Sequence, residues 1–144
     1  MPKKREFNHG DRDSRERRHF ERLGTDKPFC LLCDCPWACA IELHHIAQRQ
    51  YYAEEIPLCA KHHKVASDRQ YDHPGKIDGC INPAETVGHI LLGLNDLVEI
   101  AADELPDPRL GTLLGYLRLK LKENGLFLIE LARRTPDIDV GIQP

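Results

Sequence analysis

No apolar run in this 144-residue chain approaches the length of a membrane span. The opening residues, Met1-Pro2-Lys3-Lys4-Arg5-Glu6, lead straight into charge without the apolar segment a secretory signal needs. Internal repeats and low-complexity segments are lacking. Positive charge is not in excess either: 20 Lys and Arg against 23 Asp and Glu leave a net charge of -3. That balance disfavours coating nucleic acid by bulk electrostatics. With neither export nor membrane insertion expected, the six cysteines belong in a reducing, cytoplasmic setting. There, closely spaced cysteines serve as metal ligands more often than as disulfides. What is present is ordinary for a globular chain, 41% hydrophobic and 30% charged. The length suits one domain with an appendage and excludes two large cores.

The charge is unevenly placed. Residues 1–22 carry Lys3, Lys4, Arg5, Arg12, Arg15, Arg17, Arg18 and Arg22 against five acids, whereas acids outnumber bases after Ala84. A basic arm ahead of an acidic tail is compatible with local phosphate binding. Four parts follow: a basic arm over 1–24, a cysteine- and histidine-rich core over 25–82, a helical region over 83–135 and a tail over 136–144. In the arm, Ser14 to Leu23 reads as a short helix capped by Ser14 and stopped at Gly24. In the core, residues 40–44 and 55–58 read as strands, with Pro57 on an edge, and residues 59–69 as a helix free of Gly and Pro. In the helical region, Pro83 can start one helix and Asp107-Pro108 a second. Leucines at 110, 113, 114, 117 and 121 stripe the second helix, and Asn124-Gly125 is expected to interrupt it. So much leucine must be buried on the core or on a second copy of the chain, which makes a homodimer through these helices an expectation. The fold class is α+β.

The strongest signal is the string of soft ligands between residues 30 and 63. Cys30-Leu31-Leu32-Cys33 has knuckle spacing, and Cys59 and His62 are one helical turn apart. Together they make a Cys3His set able to close a tetrahedral structural Zn²⁺ site. Cys35 and Cys39 are near enough to replace a member, Cys80 has no evident partner, and Trp37 is expected to pack on the knuckle. A strand–strand–helix unit this small needs such a staple. The remaining histidines, in Glu42-Leu43-His44-His45-Ile46 and at His63, exceed what one zinc can use. On a strand His44 and His45 point to opposite faces. His63 is turned away from His62 on the helix and can face the strand, where a second cation with open positions can be held.

These strings, with Ile56-Pro57-Leu58-Cys59-x-x-His62-His63, resemble the HNH, or ββα-metal, endonuclease family over residues 28 to about 70. Glu42 to His45 also looks like the matching stretch of the colicin-type DNases. The resemblance implies His44 and His63 as ligands of a catalytic Mg²⁺ or Mn²⁺, His45 as the general base and Glu42 as a supporting carboxylate. It implies DNA as partner, held by its phosphate backbone; sequence specificity is expected to be low, because no separate reading domain is visible in the sequence. Arg49, Lys61 and Lys64, with Arg15, Arg17 and Arg18 of the arm, are the candidates to touch phosphates. The chain departs from the family pattern at Glu54, where an Asn commonly positions the loop holding the base. Gln48 or Gln50 can substitute. Ser67 stands where many members have a further His, with Asp68 a neighbouring carboxylate. A non-catalytic zinc-stapled nucleic-acid-binding module, or an adaptor working through its helical tail, is the alternative.

Overall fold

Ile41–His45 (β1) and Glu55–Cys59 (β2) pair into an antiparallel ribbon. The register sets Ile41 opposite Cys59, His44 opposite Ile56 and His45 opposite Glu55. Around this ribbon the computed structural model describes residues 9–33, 35, 37, 40–77, 82–105 and 107–135, without the side chains of 9–12. The helices are α1 (His9–Leu23), α2 (Gln48–Tyr51), α3 (Ala60–Gln70), α4 (Pro83–Glu104) and α5 (Pro108–Arg134). The chain is therefore mixed α+β, mostly helical with a two-stranded sheet. Lys3, Lys4, Arg5, Cys39, Cys80 and the tail over 136–144 lie outside the described residues. No helix among the described residues is long and apolar enough to cross a membrane.

Local chemistry explains most boundaries. Asn82 accepts a hydrogen bond from the Ala84 amide at 2.8 Å and Asp107 one from Arg109 at 2.8 Å. Each is followed by a proline at the first helical position, whose missing N–H costs nothing there. Gly24, at φ +68°, ends α1 in the left-handed conformation that glycine adopts without steric penalty. Three expectations are corrected. Helix α1 begins at His9, so Ser14 is an internal residue and not the cap; no proline in 9–13 stops the helix from extending. Helix α5 runs unbroken through Asn124-Gly125. There the missing side chain serves packing: a Cβ on Gly88 would sit 2.8 Å from the Gly125 carbonyl oxygen, and one on Gly125 would be 2.9 Å from that of Gly88. Trp37 is 68% exposed and does not cover the knuckle.

The core joins the ribbon to the helices. Cys30, Ile41, Leu58, Cys59 and Ala66 cluster with Leu97 and Ile100 of α4, so two cysteines are themselves core residues. Helix α4 also carries a buried polar layer. His89 is fully buried and stacks on Tyr51 at 3.8 Å, and the Tyr51 hydroxyl donates to Glu85. Burial, then the neighbouring His73, hold His89 down to about 4, so it stays neutral at pH 7. Helix α5 packs on α4 through Gly125, Ile129 and Ala132. Leu110, Leu113, Leu117, Phe127 and Leu131 remain exposed.

Gly93 sets how closely α4 approaches the loop after β1. A Cβ there would lie 1.7 Å from the Ile46 carbonyl oxygen and 2.7 Å from its carbon, both rigid backbone atoms. Gly93→Ala must push that loop off α4. A loss of about 1–3 kcal/mol or more is expected from such overpacking, readable as a lowered midpoint in thermal or urea unfolding of the zinc-loaded protein.

Candidate functional site

Residues far apart in sequence form two adjoining clusters. In the first, Cys30 and Cys33 come from the knuckle, Cys59 ends β2 and His62 lies on the first turn of α3. Their ligand atoms all lie within 4.8 Å of one another. The Leu31 amide donates to the Pro57 carbonyl at 2.9 Å, which ties the knuckle to β2. His62 Nδ1 is 3.4 Å from both the Cys30 and Cys59 sulfurs, and Cys33 Sγ is 3.9 Å from Cys59 Sγ. Burial raises the Cys30 thiol, but the Cys59 backbone amide and His62 outweigh it and leave Cys30 at about 6. Burial and the neighbouring Cys30 sulfur push Cys33 up to about 12. The sulfurs are too close for all to be anionic without a cation among them. The donor set, its closure and its burial fit Zn²⁺ in a structural role. Cys35 packs nearby without joining the set.

The outer face of this cluster is built by α4. Glu104, at its last turn, accepts from His62 Nε2 at 3.1 Å and also pairs with Lys61. It thereby fixes the ring so that Nδ1 faces the sulfurs. A carboxylate behind a ligating imidazole holds its tautomer and raises its basicity. Glu104→Gln is expected to weaken zinc binding about 10- to 100-fold, measured by competition with a chromophoric chelator, with the fold retained at saturating zinc.

The second cluster spans β1 and α3. His44 is 4% exposed, and its ring meets that of His63 edge-on with centroids 5.2 Å apart. Glu42 Oε2 is 3.2 Å from His63 Nδ1. Burial, then the rings of His63 and His45, hold His44 down to about 4, so at pH 7 it is neutral with a lone pair to offer. His45, on the other face of the strand, pairs through Nε2 with Glu55 Oε1 at 3.1 Å. Glu42, Glu55 and His63 line one cavity of about 570 Å³, together with Leu43 and with His19 and Arg22 of α1. Among the described residues, the Cys3His tetrad is the only group of three or more such ligand atoms drawn within 4.8 Å. His44 and His63 meet ring to ring without a third such ligand atom drawn to them within that distance.

The loop after His45 is pinned from α3. Gln70 Nε2 donates to the carbonyl oxygens of His45 at 2.7 Å and Ile46 at 2.9 Å. Gln48, in a left-handed conformation at φ 60°, in turn donates to the Gln70 carbonyl. The loop support expected from Gln48 or Gln50 therefore comes from Gln70, with Gln48 behind it; Glu54 is exposed. Of the expected phosphate contacts, Lys61 is paired with Glu104 and Lys64 with Asp68, while Arg49, Arg15, Arg17 and Arg18 are exposed.

Glu55, Gln70, Glu104 and His19 escaped the reading by sequence, and Arg22 was read only as one cation of the basic arm. Only the pairing of 45 with 55, implied by a two-strand register, could have revealed one of them. No family model, no curated protein and no solved structure matches the chain.

Proposed function

We propose that this protein is a metal-dependent endonuclease of the HNH, ββα-metal kind, hydrolysing DNA phosphodiesters with Zn²⁺ as its structural ion. The observation that carries the reading is the shared cavity. His63, its partner Glu42, and Glu55, the partner of His45, all open onto one space beside a closed Cys3His cluster. His44 and His63 would hold Mg²⁺ or Mn²⁺, which when bound polarises the scissile phosphoryl group and stabilises the departing oxygen. With Nε2 held by Glu55, His45 would take the proton of water on Nδ1, which is buried and without a partner until water enters, as the water oxygen bonds to phosphorus. The P–O3′ bond breaks with its electron pair going to O3′, which takes a proton from solvent water, leaving a 3′-hydroxyl and a 5′-phosphate. Glu55 orients the His45 ring and stabilises the imidazolium that forms. Arg22, at the rim of the cavity, is placed to meet a phosphate oxygen.

The test is nicking of supercoiled plasmid by the zinc-loaded protein with added Mg²⁺ or Mn²⁺. Activity should vanish in EDTA and in His45→Ala. Plasmid left intact under all metals, with DNA still shifted in a gel, would replace this reading by that of a non-catalytic binding module.

A further inference from the structure

A second cavity, of about 440 Å³, opens at the far end of α3. It lies beside the loop that follows His45, and Gln70, which pins that loop, is part of its wall. Gln48 and Gln50 contribute from α2, and Tyr71, His73 and Lys76 from the segment after α3. Neither cluster of the candidate site uses this space.

Its chemistry is selective. Among the described residues no carboxylate lines it, and Lys76 is its single formal cation. The three amides form a chain through their N–H groups: Gln50 to the Gln48 side chain, Gln48 to the Gln70 carbonyl, and Gln70 to His45 and Ile46. That chain does not engage the side-chain oxygens of Gln50 and Gln70, which remain acceptors. His73 has a side chain 8% exposed, with Nε2 2.7 Å from Asp96 Oδ2. His73 Nδ1 is buried and without a hydrogen-bond partner. Tyr71, meanwhile, is 86% exposed, an aromatic face uncovered at the rim. Acceptors at the wall, an open ring above and one ammonium beside them fit a flat, amine-bearing heterocycle attached to a phosphate.

We propose that this cavity receives one nucleobase of the substrate strand, flanking the cleaved phosphodiester, with Tyr71 stacked on it and Lys76 on its phosphate. This rests on the nuclease reading and adds a substrate preference to it. Adenine, cytosine and guanine, which carry exocyclic amines, should be favoured over thymine, which has none.

Titration of the zinc-loaded full chain with the four deoxynucleoside 5′-monophosphates, followed by amide chemical shifts, decides the matter without any cleavage. The amine-bearing nucleotides should saturate with shifts centred on residues 48–50 and 67–76, at least about threefold tighter than thymidine monophosphate. Tyr71→Ala should weaken them about five- to hundredfold, the range a base–aromatic stack supplies. Lys76→Ala should weaken the monophosphates and leave the parent nucleosides unchanged. Equal affinity for all four, an unaltered affinity in Tyr71→Ala, or shifts centred on His19 and His63 would overturn the proposal. Plasmid nicking by the same variants separates the two ideas. A wild-type protein that binds nucleotide here yet never nicks refutes the nuclease reading alone. If it nicks while Tyr71→Ala cuts at the same sites and binds equally well, the cavity assignment fails alone.

Discussion

Cys59→Ser is expected to leave the chain without a stable fold, and removal of zinc from the wild type by a strong chelator should do the same. Cys59 is both a member of the tetrad and a buried residue of the core that joins β2 to α3 and α4. The ribbon has two strands, and its core rests on a handful of side chains such as Ile41, Leu58 and Ala66. An isolated two-stranded ribbon is marginal in water. Zinc binding in comparable small sites contributes about 10–16 kcal/mol to folding, as large as the whole net stability of a typical domain. Losing one thiolate therefore removes more than the remaining core can offset. Far-UV circular dichroism and metal analysis should show one zinc per wild-type chain, and loss of cooperative unfolding in the variant. Cys35→Ser, beside the core but outside the tetrad, serves as control and should keep both zinc and fold. A folded, zinc-free Cys59→Ser protein would show that the tetrad is not a structural site.

His45→Ala should reduce plasmid nicking by roughly 10²–10⁴-fold, the contribution of a well-placed general base. Its thermal midpoint should change little, because the His45 side chain is 26% exposed and its Glu55 partner is 36% exposed. His63→Ala should abolish the response to Mg²⁺ or Mn²⁺ while leaving the zinc content at one per chain. His63 points to His44 and Glu42, away from the sulfurs that its neighbour His62 faces. His44→Ala is the less informative variant, since His44 is buried and its removal also leaves a hole under α3. Glu55→Gln should lie between wild type and His45→Ala, with a lowered turnover and unchanged KM, as expected of a group that steadies the base. Should His45→Ala nick at the wild-type rate, the assignment of the base is wrong, whatever the metal dependence.

Legibility varied with the range of the interaction. The tetrad could be read because CxxC and CxxH are local spacings, each set by one turn of chain. The starts of α4 and α5 could be read because Pro83 and Asp107-Pro108 act on their own backbone. Asn124-Gly125 misled for the same reason: local propensity points to a break, but the contact with Gly88 on another helix outweighs it. Gly93 against Ile46, Gln70 under His45 and Glu104 behind His62 were invisible. Each joins residues more than 20 positions apart, and each depends on where α4 or the end of α3 comes to rest.

By itself the order of residues determined the Cys3His set, the strand that bears the two histidines and the starts of the two long helices, since these arise from local spacing and capping along one stretch of chain. Tertiary structure alone decided that Glu104 stands behind His62, how the loop after His45 is held and which spaces stay open. Hydrogen bonds and close packing of that kind exist only once separate segments are brought within a few ångströms, and nothing in a one-dimensional pattern encodes that approach.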